Sequence, residues 1–360
     1  MTSSTPDSGP VLEPGPRRAV FIVGSGRSGT SALACSLQTL GLHVPQPEVA
    51  PDETNPKGFG ESQWVVDFHD RLLRKANVGV ADGRPSAWFD TGKVATNDRL
   101  REEARVWLDG QFTDEVREVV VKDPRLAWFI GLWRSAALRS DVEATYAITL
   151  RAPAEVIGSK KTYYSSQVSE VARAASWINQ MLHTERATRG SRRGFVRYAD
   201  LLEDWTVPVY RLGATLGLDG VRSANARNIR RVHELIDPDL HRVRTTWDDV
   251  DLPAPLRAIA EETWRLMNRL VDDAEESPEV HAALDDAREA YARLYGEAEA
   301  LVTASIQAAR RQRPPKKKAG ASTPAPAPEP APVEAPAADE PADDAAPSLS
   351  SRARGLLGRR

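Results

Sequence analysis

An α/β fold with a parallel sheet covered by helices on both faces follows from three observations. Runs that are apolar almost throughout, at residues 19–23 (AVFIV), 118–122 (EVVVK) and 145–150 (TYAITL), read as strands buried on both faces. Stretches of helical periodicity separate these runs. The first run also passes straight into a glycine-rich turn and a helix, the junction on which such sheets are built.

The first element is the strand at residues 19–23. Gly24-Ser25-Gly26-Arg27-Ser28-Gly29 follows, with three glycines in six residues, so the chain can turn tightly and aim successive amide N–H groups inward. From Thr30 the spacing becomes helical, with Leu33, Leu37 and Leu40 on one face and Gly41 as the stop. Strand, amide nest and helix N-terminus together form an anion site. Residues 42–62 hold prolines and glycines that forbid a long regular element. Residues 63–75 then predict an amphipathic helix with Trp64, Phe68 and Leu72 on one face. A loop is expected over residues 82–93, then a charged helix over 97–112 and the strand at 118–122. Asp123-Pro124-Arg125 turns the chain into a helix carrying Trp128, Leu132 and Leu138.

The third strand ends at Arg151, and Pro153 suits the first turn of the next helix, where its missing N–H costs nothing. A long helix at 168–189, a fourth strand at 194–198 and helices at 201–216 and 256–271 complete a domain spanning residues 17–275. Residues 276–312 form one long alanine-rich helix. Packing back on the domain and pairing with a second copy, as in a homo-oligomer, both fit it. From residue 313 to 360 the composition turns to alternating Pro and Ala with scattered acids, which cannot bury enough apolar surface to order. Its basic end, SRARGLLGRR, reads as a solvated tail, with a weak membrane-surface contact as the alternative.

Composition narrows the function classes. A chain of 360 residues has ample material for a core, and a net charge of −3 argues against bulk nucleic-acid binding. The single cysteine, Cys35, excludes an internal disulfide and a thiolate cluster and fits a reducing cytoplasm. Inside the first helix it reads as a small buried hydrophobe. Residues 1–16 lack an apolar run and read as a disordered leader, not a signal peptide. No stretch approaches the roughly 20 apolar residues of a membrane span. A soluble cytoplasmic protein is expected.

Three ligand classes suit the glycine-rich turn. Gly24-x-Gly26-x-x-Gly29 matches the dinucleotide fingerprint, but Glu48, at the count of the ribose-binding acid, lies among Pro45, Pro47 and Pro51 with no strand before it. Gly24-x-x-x-x-Gly29 matches a triphosphate loop, but Thr30 stands where the lysine belongs. A kinase-like phosphotransferase using ATP and magnesium, with Asp123 as the metal-holding acid, is the alternative this spacing leaves. The third reading puts Arg27 in the lysine's role, its guanidinium forking onto a 5′-phosphate and the group attached to it.

Arg27-Ser28-Gly29-Thr30-Ser31 after a strand resembles the 5′-phosphosulfate loop of sulfotransferases that use 3′-phosphoadenosine-5′-phosphosulfate (PAPS), in the arginine-bearing form of tyrosylprotein and bacterial carbohydrate enzymes. Arg151 and Ser159, eight residues apart across a strand end and the next helix, resemble the family's 3′-phosphate pair. NPKGFGES, VVKDPRLAWF and VRYADLLEDW resemble further family segments, so the likeness spans about residues 18–240. It implies a three-layer α/β/α, P-loop NTPase-like sulfotransferase fold. It also implies metal-independent in-line transfer of a sulfuryl group to a hydroxyl of a glycan, glycolipid or phenol.

The cofactor contacts so implied are Gly26, Arg27, Ser28, Gly29, Thr30, Ser31, Arg151, Ser159 and Tyr198. The family's closing arginine-lysine-glycine run is missing, and Arg242 and Arg244 are its substitutes. For the chemistry, Arg27 would stabilise the transferred charge and Lys122 would reach the sulfuryl group or acceptor. Glu61 would be the base beside the attacking hydroxyl, with His69 as runner-up. Acceptor determinants are expected in residues 45–57, 82–93 and 163–171, where Trp88, Phe89, Tyr163 and Tyr164 could stack on a ring.

Overall fold

In the computed structural model four strands pair in parallel, β1 (Arg18–Val23), β2 (Glu118–Lys122), β3 (Glu143–Leu150) and β4 (Arg192–Arg197), in the order β2-β1-β3-β4. The structure describes residues 15–53, 55–164, 167–236, 244–272 and 276–312. Register runs from Arg18 opposite Glu118 and Glu143 to Val23 opposite Ile148. At that lower edge the buried Arg18 guanidinium meets Glu118 at 3.0 Å and Glu143 at 2.8 Å, pinning three strands together.

The continuous apolar strands are covered on both sides. Ala19, Phe21 and Val23 of β1, Val119 and Val121 of β2, and Tyr146, Ile148 and Leu150 of β3 face one apolar cluster. Val20, Ile22, Val120, Ala147 and Val196 face the other. Successive side chains of a strand point to opposite faces, so these two sets define a three-layer α/β/α arrangement.

On the first face lie α2 (Gln63–Ala76), α5 (Ile130–Arg139), α7 (Glu170–Thr188) and α12 (Ala254–Asp272), with α3 (Ala87–Ala95) and α4 (Asp98–Asp109) outside them. On the second lie α1 (Thr30–Thr39), α8 (Tyr198–Glu203), α9 (Thr206–Leu216), α10 (Asp219–Arg222) and α11 (Ala226–Leu235). Between β3 and α7 runs α6 (Pro153–Tyr163), with Pro153 in its first turn. The long helix α13 (Pro278–Gln312) buries Val280, Leu284, Ala287 and Tyr291 in the first cluster. Its early turns therefore pack back on the domain, while Leu301 and Val302 are exposed. The described residues through Ala308 make one compact unit.

Several expected elements differ. The loop at 82–93 contains α3, because Ala87, Thr91 and Ala95 recur every fourth residue and bury a small-residue stripe. Residues 201–216 split into α8 and α9, since Asp204 breaks out and its carboxylate accepts from the Thr206 N–H at 3.0 Å to restart the helix. Tyr198 opens α8 rather than ending β4. The helix expected from residue 168 begins at Glu170, where Ser169 Oγ accepts the Ala172 N–H at 3.2 Å. Of the residues expected on the helix after Arg125, Leu132 is buried on α5 while Leu138 is 80% exposed. Both α10 and α11 were unexpected, and α11 fully buries only Val232 among its own residues. The leader through residue 14, the tail from 313 and Arg242 lie outside the described residues.

Candidate active site

The sheet's upper edge opens where β1 is flanked by β2 on one side and β3 on the other, the switch point at which ligands of such sheets gather. A cleft of about 300 Å³ lies there. Of the residues singled out from sequence, Gly26, Arg27, Gly29, Thr30, Ser31, Glu61, Lys122, Arg151, Ser159 and Tyr198 line it.

The floor is the turn between β1 and α1. Gly29 has φ +87°, and a Cβ there would stand 2.3 Å from Cδ2 of Tyr198, so the backbone approaches the ring as only glycine can. Arg27 holds φ +73°, a costly conformation for a side-chain-bearing residue that the surroundings must fix. The Arg151 guanidinium fixes it by donating to the Arg27 carbonyl at 3.1 Å. Arg27 in turn donates through Nε to Ser159 Oγ at 3.1 Å and lies over the Tyr163 ring at 4.4 Å. Arg151 is buried, paired with Glu155 at 2.8 Å and set over the Tyr198 ring at 4.7 Å. The strand-end arginine, the helix serine and the loop arginine thus brace one another across the β1–β3 boundary. Ser28 departs from its expectation. It does not line the cleft, and its Oγ is buried without a partner among the described residues.

A second group stands beside Ser31. Lys122, at the end of β2, donates through Nζ to Ser31 Oγ at 3.0 Å and to Glu61 Oε1. Glu61 arrives on a chain that turns through Gly58 (φ +93°) and Gly60 (φ +61°), the latter packed so closely on α1 that a Cβ would meet Ala34 at 2.7 Å. Burial raises the Glu61 carboxyl above its ordinary pKa, against the pull of the Lys122 ammonium. Glu61 is therefore an ion-pair partner inside the cleft.

His69 stands outside the cleft. It is fully buried, its Nε2 accepts the Trp133 indole N–H at 2.8 Å, and its Nδ1 faces Asp123 at 3.4 Å. Asp123 is likewise buried. Burial acts to raise its carboxyl, but His69 and Arg125 prevail and hold it below the usual carboxylate range. Neither residue lines the cleft.

No protein-family model and no curated protein matches the chain. Among solved structures, the sulfotransferase domain from the Synechococcus PCC 7002 olefin synthase is similar at 19% identity and a TM-score of 0.42, covering 73% of this chain and 96% of that one. The sulfotransferase domain from the curacin biosynthetic pathway is similar at 17% identity and a TM-score of 0.39, covering 70% of this chain and 97% of that one.

Other expectations sort plainly. From residues 45–57 the cleft takes Asn55, Pro56 and Lys57, and from 163–171 Tyr163 and Tyr164. Residues 82–93 contribute nothing to it: Trp88 packs against His183 at 4.6 Å, and Phe89 points to solvent. Glu48 accepts from the Gln38 and Gln46 side chains outside the cleft. Arg244 is exposed and lines no part of it. Cys35 is buried as expected and burial pushes its thiol up to about 11, yet it stands in the wall. Ala32, Gly58, Phe59, Pro124 and Leu235 also line the cleft and were not expected to. Leu235 belongs to α11, whose last carbonyls, of Glu234 and Leu235, accept from Lys57 Nζ at 3.3 and 2.8 Å. No described helix is long and apolar enough to cross a membrane.

Proposed function

We propose that this cleft binds PAPS and passes its sulfuryl group to a hydroxyl of a second molecule. The observation that carries the reading is the bracing of Arg27 by both Arg151 and Ser159, residues separated by more than a hundred positions in the chain. Two guanidiniums and a hydroxyl converging on a glycine-rich turn suit a ligand with phosphate at two ends.

Arg151 and Ser159 would hold the 3′-phosphate, and Tyr198, beneath Arg151, would bound the adenosine side. The amides of Gly26 to Ser31 other than that of Ser28, which already donates to the Ser25 carbonyl, and the terminal nitrogens of Arg27, which find no hydrogen-bond partner among the described residues, would hold the 5′-phosphosulfate. When bound, the donor supplies a sulfuryl group whose transfer loads charge onto its equatorial oxygens and the leaving phosphate oxygen. Arg27 and Lys122 would stabilise that charge from fixed positions. Glu61 would accept the proton of the attacking hydroxyl, its raised pKa bringing it nearer to the range a base needs at neutral pH. Proton acceptance requires Glu61 to be released in part by Lys122, which Ser31 can still hold.

Against the kinase-like alternative, the acid expected to hold its metal, Asp123, is buried against His69 and Arg125 and does not line the cleft. The test is binding of 3′-phosphoadenosine 5′-phosphate, followed by turnover of labelled PAPS over a panel of glycans, phenols and glycolipids in EDTA. Micromolar binding and EDTA-resistant transfer are expected. Binding of ATP with magnesium in preference to the bisphosphate would replace this reading by the kinase-like one.

A further inference from the structure

One charged group next to this site has no part in the proposed sulfuryl transfer. Lys160 follows Ser159 on α6, is 6% exposed, and its Nζ donates to Ser25 Oγ at 3.1 Å. No carboxylate pairs with it among the described residues. The groups facing it there are Ser25 from the turn and Arg173, a second buried cation, from α7. Ser25 is wholly buried and its carbonyl accepts the Ser28 N–H at 3.1 Å, so it anchors the turn that would cradle the ligand.

A buried ammonium without a counter-charge is costly and is normally removed or paired. Here it stands directly behind an anion cradle. We propose that Lys160 is a positioning residue for the phosphate-bearing ligand: it acts through Ser25, and the ligand's negative charge on the far side of the turn completes its charge balance. The inference rests on the proposed PAPS reading.

Burial, with Arg173 adding repulsion, lowers the Lys160 pKa to about 8 in the free protein. An anion across the turn favours the charged form and raises that value again. Binding therefore takes up a proton near and above pH 8, and affinity is highest below pH 8, where Lys160 is already charged. As pH rises from the free to the bound pKa, affinity falls, by at most about tenfold per unit. The ligand's own phosphate has its second pKa at about 6 and no longer titrates in this window.

The experiment is calorimetric titration of the full chain with 3′-phosphoadenosine 5′-phosphate between pH 7 and 9.5, in buffers of different ionisation enthalpy. Wild type is expected to take up as much as about three-quarters of a proton near pH 8.5 and to weaken as pH rises. Lys160→Arg keeps the charge without titrating, so it should retain affinity at pH 7 and lose most of the pH dependence. Lys160→Met should bind more weakly at pH 7 and also lose it. Should Lys160→Met fail to fold, the wild-type profile and Lys160→Arg decide. Wild-type binding with no proton uptake, or a Lys160→Arg profile identical to wild type, overturns the role of Lys160 and leaves the PAPS reading standing. Absence of wild-type binding at every pH overturns the PAPS reading itself.

Discussion

Lys122→Met is the sharpest perturbation of this cleft, and it can be read without any substrate. The substitution keeps the apolar stem but removes the ammonium that faces Glu61 Oε1 and Ser31 Oγ. Both members of the pair are nearly fully buried, so the carboxylate is left without its counter-charge in a poorly solvated place. Breaking a buried ion pair on one side costs about 3–5 kcal/mol. Burial already raises the Glu61 pKa above its value in the unfolded chain, and loss of Lys122 raises it further. A carboxyl whose folded pKa lies above its unfolded one binds an extra proton in the folded state, so lowering the pH between those values stabilises the fold. The gain is at most about 1.4 kcal/mol per pH unit.

Urea melts of wild type and Lys122→Met at pH 5, 6 and 7, with unchanged m-values, give the comparison. The deficit of the variant should be largest at pH 7 and shrink toward pH 5. The double variant Lys122→Met/Glu61→Gln should recover most of it at pH 7, because the orphaned charge is gone. A deficit below about 1 kcal/mol at pH 7, or one equal at pH 5 and pH 7, would refute the buried-pair argument.

Other outcomes are expected from the same geometry. Arg27→Ala and Arg151→Ala should each weaken 3′-phosphoadenosine 5′-phosphate binding by about 10- to 100-fold in calorimetry, the loss of charge-assisted hydrogen bonds worth roughly 1.5–3 kcal/mol. Gly29→Ala combines a positive φ, costing about 1–2 kcal/mol, with a Cβ driven into Tyr198, so its melting temperature should fall by several degrees. Gly26→Ala, whose Cβ would meet nothing within 4 Å, should melt close to wild type. His69→Gln should destabilise the fold by about 1–3 kcal/mol while leaving bisphosphate binding intact. A loss of binding at wild-type stability would return His69 to the site.

Most of the sheet is legible in the sequence because strands buried on both faces leave uninterrupted apolar runs. The cradle is legible because its glycines are consecutive with β1 and α1. Arg151 and Ser159 could be paired with Arg27 only through resemblance to a family, since nothing in local spacing links them to residue 27. The contact between Lys122 and Glu61 joins positions 61 apart, with three helices between them, and no local spacing links the two. His69 has the chemistry of a base, but the Trp133 indole that claims its Nε2 lies 64 residues away. The helix α11 hides because its inward face is short, with Val232 its one fully buried member, and arginines flank it. Ser28 shares the motif with Arg27, yet the turn sends its side chain inward, an outcome backbone geometry decides and spacing does not.

The hydrogen bond from Arg151 to the Arg27 carbonyl also bears on the speed of binding. It holds an unfavourable backbone conformation before any ligand arrives, so the cradle has little left to rearrange at encounter. Association with such a preformed site should follow a single exponential whose rate rises linearly with ligand concentration, limited by diffusion and charge rather than by a conformational step. On the proposed PAPS reading Arg151 would serve twice, as a docking point for one end of the ligand and as the clasp that keeps the other end's seat in shape.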